Sequence, residues 1–508
     1  MLRKLLKAAA IVIVALVAAG ALLYALGLRI QLDGGGSPHL RFIESEKARA
    51  EALARHREAQ RLVPQSLSPS VPGPSVQGPS SSVAGPESRV PAPTEASAGK
   101  PGSEPRAPSP ESRAVAAVDP IAAVPYWTDF RGPLRDGHYR QRAIRTDWPA
   151  GGLNPIWKQP VGGGYASFVI VNGRAFTIEQ RRANEVVAAY DVATGREVWT
   201  NVWQAAFREF MGGDGPRATP TWFDGYVYAL GAEGELRCLD DRTGQVVWRT
   251  NILEDAGANN LQWGMAASPL IVDDYVVVFP GGPDSRSLIA YDRKSGKRAW
   301  SALNDQAAYS SPMLVTLAGV RQIVVFSAAR VMGLSPDSGK LLWKYPWKTQ
   351  FDINASQPLV IAENRLFVSS GYGTGAAVIE LTKSGGELSV REVWRNIRMK
   401  NQFSSSVLHE GFIYGLDEAI LACVDAATGE LKWKGGRYGY GQVMLASGHV
   451  IVLTEDGNLA LVRATPERHE EIVRFPVLDG KTWNHPAMAE GYLLVRNLKE
   501  MAAFNLRK

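Results

Sequence analysis

Short runs of β-branched and aromatic residues recur along most of the chain, each closed by a polar break. Tyr226-Val227-Tyr228-Ala229-Leu230 and Tyr275-Val276-Val277-Val278-Phe279 are two of them; runs of this kind bounded by turn residues predict strands. The run that follows ends in an aspartate, then a Thr-Gly or Ser-Gly pair, then a last strand finishing on tryptophan. Asp191 with Thr194-Gly195 leads to Trp199, Asp240 with Thr243-Gly244 to Trp248, and Asp292 with Ser295-Gly296 to Trp300. Asp337-Ser338-Gly339 leads to Trp343, and Asp425 with Thr428-Gly429 to Trp433. The glycine supplies the positive φ of a hairpin turn, and the tryptophans are expected to pack between neighbouring units.

A phrase repeated at this period means one supersecondary unit stacked many times. The endings fall at Trp199, Trp248, Trp300, Trp343, Trp394, Trp433 and, degenerately, Phe475, spaced 39 to 52 residues apart. Trp157 is an eighth ending with no repeat before it. At the other terminus, Tyr492–Val495 and Met501–Leu506 form a repeat lacking its last strand. The strand around Trp157 completes that repeat. The pattern therefore predicts an all-β, eight-bladed β-propeller of four-stranded antiparallel blades, closed by pairing N- and C-terminal strands, which also removes exposed sheet edges.

The pattern before the repeats is different. Residues 1–7 carry Arg3, Lys4 and Lys7, and the 21 residues from Ala8 to Leu28 carry no charge. That length and flank predict a single-pass signal-anchor helix over 8–28, with the C-terminal propeller on the side of the membrane away from the cytoplasm. A cleaved signal peptide is the alternative, since small residues crowd at Ala18–Ala21, but the apolar run continues past them. Residues 29–63 are charged and juxtamembrane, with a possible helical stalk. Residues 64–120 are rich in Pro, Ser and Gly and read as a disordered linker, leaving 121–508 for the propeller.

The formal net charge of +6 is spread through the chain, with no basic helix and no stacking platform, so no nucleic-acid partner is expected. Cys238 and Cys423 occupy equivalent places in the second and sixth blades. These lie opposite one another in a ring of eight, which excludes a disulfide.

Individual chemistry is expected where the repeat is broken, on the loops between blades and those joining strands two and three. Trp483, Asn484 and His485 form the sharpest cluster: an imidazole beside an amide and an indole can orient a ligand or act as a base, or simply tie two blades. Trp263 can stack on a flat ligand or dock a blade. Arg217 can hold a carboxylate or pair with Asp214. Tyr309, Gln357, Tyr372 and Lys499 complete the candidate set. Catalytic residues are not assigned. The seven histidines show no metal spacing, no Gly-x-Ser-x-Gly elbow is present, and no oxygen cage of the kind calcium needs stands out.

The Asp-x-x-Thr/Ser-Gly-x-x-x-Trp phrase resembles that of the quinoprotein-type, pyrroloquinoline-quinone-like (PQQ-like) repeat propellers, over residues of about 124 to 508. The opening Tyr126-Trp127-Thr128-Asp129-Phe130-Arg131-Gly132-Pro133 is similar to that of bacterial members likened to BamB. The resemblance implies the fold and two function classes. One is a non-catalytic binding or scaffold module for envelope proteins, peptides or polymers, with no cofactor. The other is a dehydrogenase of alcohols or sugars using PQQ with calcium, whose adjacent cysteines this chain lacks.

Overall fold

The tryptophan and glycine of the repeated phrase turn out to belong to one contact, made between neighbouring blades. In the computed structural model, which describes residues 13, 16–62 and 126–508, the missing Cβ of Gly244 points at the Trp199 indole of the preceding blade, 2.5 Å away. Gly195 meets Trp157 at 2.7 Å and Gly296 meets Trp248 at 2.6 Å in the same way. The indole N–H then donates to a carbonyl beyond it: Trp199 to Asp241 (2.9 Å), Trp248 to Arg293 (2.8 Å), Trp157 to Val192 (2.8 Å). The aspartate shapes the turn, Asp240 Oδ1 accepting from both Thr243 N–H (2.9 Å) and Thr243 Oγ1 (2.8 Å). One residue of the phrase builds its own turn, and another locks the next blade.

Eight antiparallel blades result. In chain order they span residues 169–204, 221–251, 270–302, 313–346, 359–396, 407–437 and 442–476, and the eighth combines 487–505 with Trp157–Pro160. That last strand pairs with Glu500–Asn505, Trp157 lying opposite Ala503, so the ring closes as the sequence predicts. Cores of interleaved aliphatic side chains fill the seams between blades. Cys238 and Cys423 are buried and unpaired.

Blade seven corrects one sequence reading. A bulge between Leu461 and Val462 places Val473, not Phe475, at the tryptophan position, opposite Leu461. Phe475 instead packs edge-on to Trp148, at 5.9 Å.

The segment before the first blade runs inside the ring. His138–Tyr139 adds a parallel strand to Gln442–Ala446, the innermost strand of blade seven. Trp127 bridges to Ile170 of blade one, and Thr128 O accepts from Trp222 N–H of blade two (2.9 Å). Arg131 and Arg135 are fully buried here. Arg131 donates to Ser406 O (2.8 Å), Arg135 to Ser268 O (3.3 Å) and Pro312 O (2.7 Å), answering carbonyls of blades six, three and four. Buried cations need such partners.

Nearer the N-terminus, residues 16–25 are helical and Leu26–Gly27 turn the chain, so Leu28 belongs to a strand and not to the helix expected over 8–28. Residues 8–12, Val14 and Ala15 lie outside the described residues, as do residues 1–7 and the 64–120 linker. Among the described residues no helix is long and apolar enough to cross a membrane. Leu28–Leu32 and Pro38–Phe42 form a hairpin, followed by a helix over Glu46–Leu62. That helix does not stand off as a stalk: it lies where blades eight and one meet. Its Arg57, 4% exposed, pairs with Glu197 (3.3 Å) and donates to Pro160 O (3.1 Å) and Tyr190 Oη (3.3 Å).

Candidate functional site

Loops that lead from one blade to the next gather aromatic side chains on one rim of the ring. Trp483 stacks on Tyr165 (5.3 Å between centroids, 29° between planes) and touches Phe403 (4.5 Å), which in turn meets Tyr440 (5.9 Å). The Trp483 indole donates to Glu455 Oε1 (2.9 Å), fixing the ring. Lys481 holds its ammonium 3.9 Å over the Trp483 ring. Burial pulls that amine down to about 8, with Glu455 opposing.

Arg217 stands beside this group, 5.5 Å over the Tyr165 ring and 4.8 Å over Phe207. Its guanidinium donates to Gly215 O (2.5 Å) and Gly213 O (2.7 Å) of its own loop. Burial lowers its proton affinity. Asp214 pairs with Arg208 instead (3.4 Å). Trp263 leans on Tyr309 (5.7 Å, 55°), and the bare backbone of Gly212 packs close against Trp263 and Arg217, where a Cβ would come within 3.1 Å and 3.2 Å of them. Tyr372, at φ +56°, meets Phe351 edge-on at 5.6 Å.

Other sequence candidates join blades through their N–H donors, while the buried Gln357 Oε1 and Asn484 Oδ1 have no protein partner. Gln357 donates through Nε2 to Ser311 O (2.8 Å) and through its N–H to Ser405 Oγ (2.9 Å). Asn484 donates to Gly164 O (3.0 Å) and Ala166 O (2.9 Å). The His485 ring is buried edge-on to Phe130, at 4.8 Å, and burial, with Arg131 nearby, holds its pKa well below the ordinary imidazole value. A neutral, enclosed imidazole of this kind is poorly placed to exchange protons with a ligand. Lys499 pairs with Asp479 at 3.3 Å and lines, with Lys481 and Asp214, a cleft of about 260 Å³.

The site also contains residues that the repeat pattern did not mark: Tyr165, Glu455 and the turn of the N-terminal hairpin. The turn lies on the aromatic rim. Gly34 N–H donates to Glu455 Oε1 (2.7 Å), and Gln402 Nε2 donates to Gly34 O (2.6 Å). Any side chain at Gly34 would collide with the Tyr440 ring. Clefts of about 260 Å³ and 550 Å³ flank the hairpin, Lys481 lining both. A signal was present in the sequence: Gly34-Gly35-Gly36 is a run whose use is close backbone approach.

Whether these residues suit a quinone with calcium can be judged from their donors. Among the described residues no three His, Cys, Asp or Glu side chains converge on a metal position, and Trp263 already leans on Tyr309. Among the described residues the site therefore offers no assembled carboxylate cage of the kind calcium takes, and its unpaired buried oxygens are the amide oxygens of Gln357 and Asn484.

The family model described as outer membrane protein assembly factor BamB matches residues 182–435. The chain belongs to this family of PQQ-like repeat propellers. No curated protein matches the sequence. Among solved structures, BamB from Moraxella catarrhalis is similar at 15% identity and a TM-score of 0.51, over 70% of this chain and 99% of that one. Quinohemoprotein alcohol dehydrogenase from Comamonas testosteroni is similar at 13% identity and 0.55, over 76% and 82%. A europium-containing methanol dehydrogenase is similar at 12% identity and 0.54, over 74% and 90%. At these identities the likeness is one of fold.

Proposed function

We propose that this BamB-family propeller is a non-catalytic binding module of the bacterial cell envelope, tethered to the inner membrane through residues 8–28 and exposed to the periplasm. Its aromatic rim captures an extended or turning segment of an envelope protein. The observation that carries this reading is the grip on Gly34: one backbone N–H and one backbone C=O held by Glu455 and Gln402, against the Tyr440 ring. Main-chain groups are the part of a peptide that any partner shares, and aromatic walls around them exclude water. In this reading the hairpin turn is a resident occupant that a partner segment displaces.

A fluorescein-labelled peptide of the sequence Gln31–His39, added to the detergent-solubilised full chain, tests it. Gly34→Leu, which ejects the resident turn, is expected to bind the peptide at least about tenfold tighter than the natural chain, since an occupied site lowers apparent affinity by its occupancy. Adding Glu455→Ala to that variant, which removes the acceptor for the backbone N–H, is expected to abolish the gain. Equal, non-saturating binding by all three proteins refutes the peptide site. A calcium-dependent rise in melting temperature with PQQ would favour the dehydrogenase alternative instead.

A further inference from the structure

The N-terminal hairpin is amphipathic in the sense opposite to that of a water-soluble protein. Cross-strand pairs Leu28–Phe42, Ile30–Leu40 and Leu32–Pro38 share one face, because side chains alternate along a strand, and Arg29–Arg41 and Gln31–His39 share the other. A hairpin resting on a protein buries its apolar face and offers water the polar one. Here Gln31 and Arg41 line both clefts towards the propeller, with Phe42 and Leu32 at the edge of one cleft each. Ile30 is 57%, Leu40 70% and Phe42 65% exposed, and Leu28 and Leu32 are half-buried.

This outward face continues an apolar surface that begins earlier. Leu16, Val17, Leu22, Tyr24 and Leu26 are all more than half exposed. Helix and hairpin are joined without a spacer: Gly27 N–H donates to Tyr24 O (3.1 Å), and Ile43 N–H donates back to Gly27 O (2.8 Å). Whatever covers the helix must therefore border the hairpin. Arg29 folds back, its guanidinium 3.6 Å over the Tyr24 ring and donating to Leu28 O (3.0 Å). A cation and a tyrosine side by side at the end of an apolar stretch suit the headgroup layer of a bilayer.

We infer that the hairpin lies in the lipid interface, its Leu28, Ile30, Leu40 and Phe42 face against the acyl chains, so that the aromatic rim of the propeller is held facing the membrane. The partner is the bilayer itself. An interfacial element of this kind binds by buried apolar area, and a two-stranded hairpin, marginal alone in water, gains a support on each face. The inference rests on the reading that residues 8–28 sit in the membrane.

Spin labels on the full chain in phosphatidylethanolamine–phosphatidylglycerol nanodiscs test the two separately. Cys238 and Cys423 are buried, with thiols pushed up to about 12, so introduced cysteines label selectively. Leu40→Cys and Phe42→Cys are expected to collide with oxygen and to lose accessibility to a water-soluble nickel chelate relative to Arg41→Cys. Val17→Cys reports on the anchor. If Val17→Cys is lipid-exposed but positions 40 and 42 meet nickel as freely as position 41, the hairpin inference fails while the anchor stands. If Val17→Cys itself meets nickel, the anchor reading fails and the inference with it. Exclusion of both probes at 40 and 42 means a protein covers the face, which also overturns the inference.

Discussion

Single residues in this ring act through their neighbours in the next blade. Glu185 is wholly buried at the seam between blades one and two, where its Oε1 accepts from Ala232 N–H (2.8 Å). Burial pushes its carboxyl from 4.5 up to about 7. A carboxyl whose folded pKa is raised holds its proton more tightly in the folded state. Its protonated form costs nothing extra below pH 4.5, and stability is lost as pH rises from there through 7. The loss amounts to about 3 kcal/mol above pH 7, at 1.36 kcal/mol per pKa unit. Glu185→Gln keeps the acceptor and removes the titration. It is expected to raise the melting temperature at pH 8 and change it little at pH 4.5; an equal shift at both values would assign the effect to packing. At this scale the sequence was only half legible. The Trp–Gly phrase showed that both residues matter, yet not that they touch each other across a seam. Asn484 and Gln357 looked idiosyncratic for the same reason that they looked functional: each ties a particular pair of blades.

Among elements, the helix Glu46–Leu62 is the one whose role its composition hid. Its charged residues suggested a solvated stalk, but Arg57 enters the seam where the ring closes and meets Glu197, Tyr190 and Pro160. Glu197 also binds Arg181, so removing Arg57 leaves no orphaned carboxylate, and the effect should stay local. Arg57→Ala is expected to speed amide exchange across 46–62 by about 10- to 100-fold while blade protection is kept. Unchanged exchange would mean that Leu53 and the surrounding contacts alone dock the helix. The blades themselves were readable because four strands and a turn repeat their chemistry each time. Blade seven was misread by two residues because its turn, from Val462 to Glu471, is two residues longer than that from Leu239 to Val246 and carries no Asp with Thr-Gly to mark the register. The hairpin was missed because its period of two, Leu28, Ile30 and Leu32 against Pro38, Leu40 and Phe42, vanishes when the segment is averaged as charged.

For the whole molecule, ring closure was legible from an unpaired Trp157 and an incomplete last repeat, whereas the filling of the ring was not, since nothing periodic announces it. Arg135 makes the clearest test. Arg135→Met removes donors to Ser268 and Pro312 and leaves Asp129 without its buried cation. Chemical denaturation is expected to show a loss of about 3–5 kcal/mol, against near-neutrality if the segment merely rests in the channel. The same segment has a consequence for how many blades the chain can have. Trp127, Arg131, Arg135 and Tyr139 reach blades one, six, three and four, and eight from a single peptide, so their spacing measures the bore. A change in blade number would move the accepting carbonyls relative to Arg131 and Arg135. The residues ahead of the first blade thus act as a gauge of circumference, and a duplicated or deleted repeat is expected to lower the melting temperature because these contacts could not all be kept.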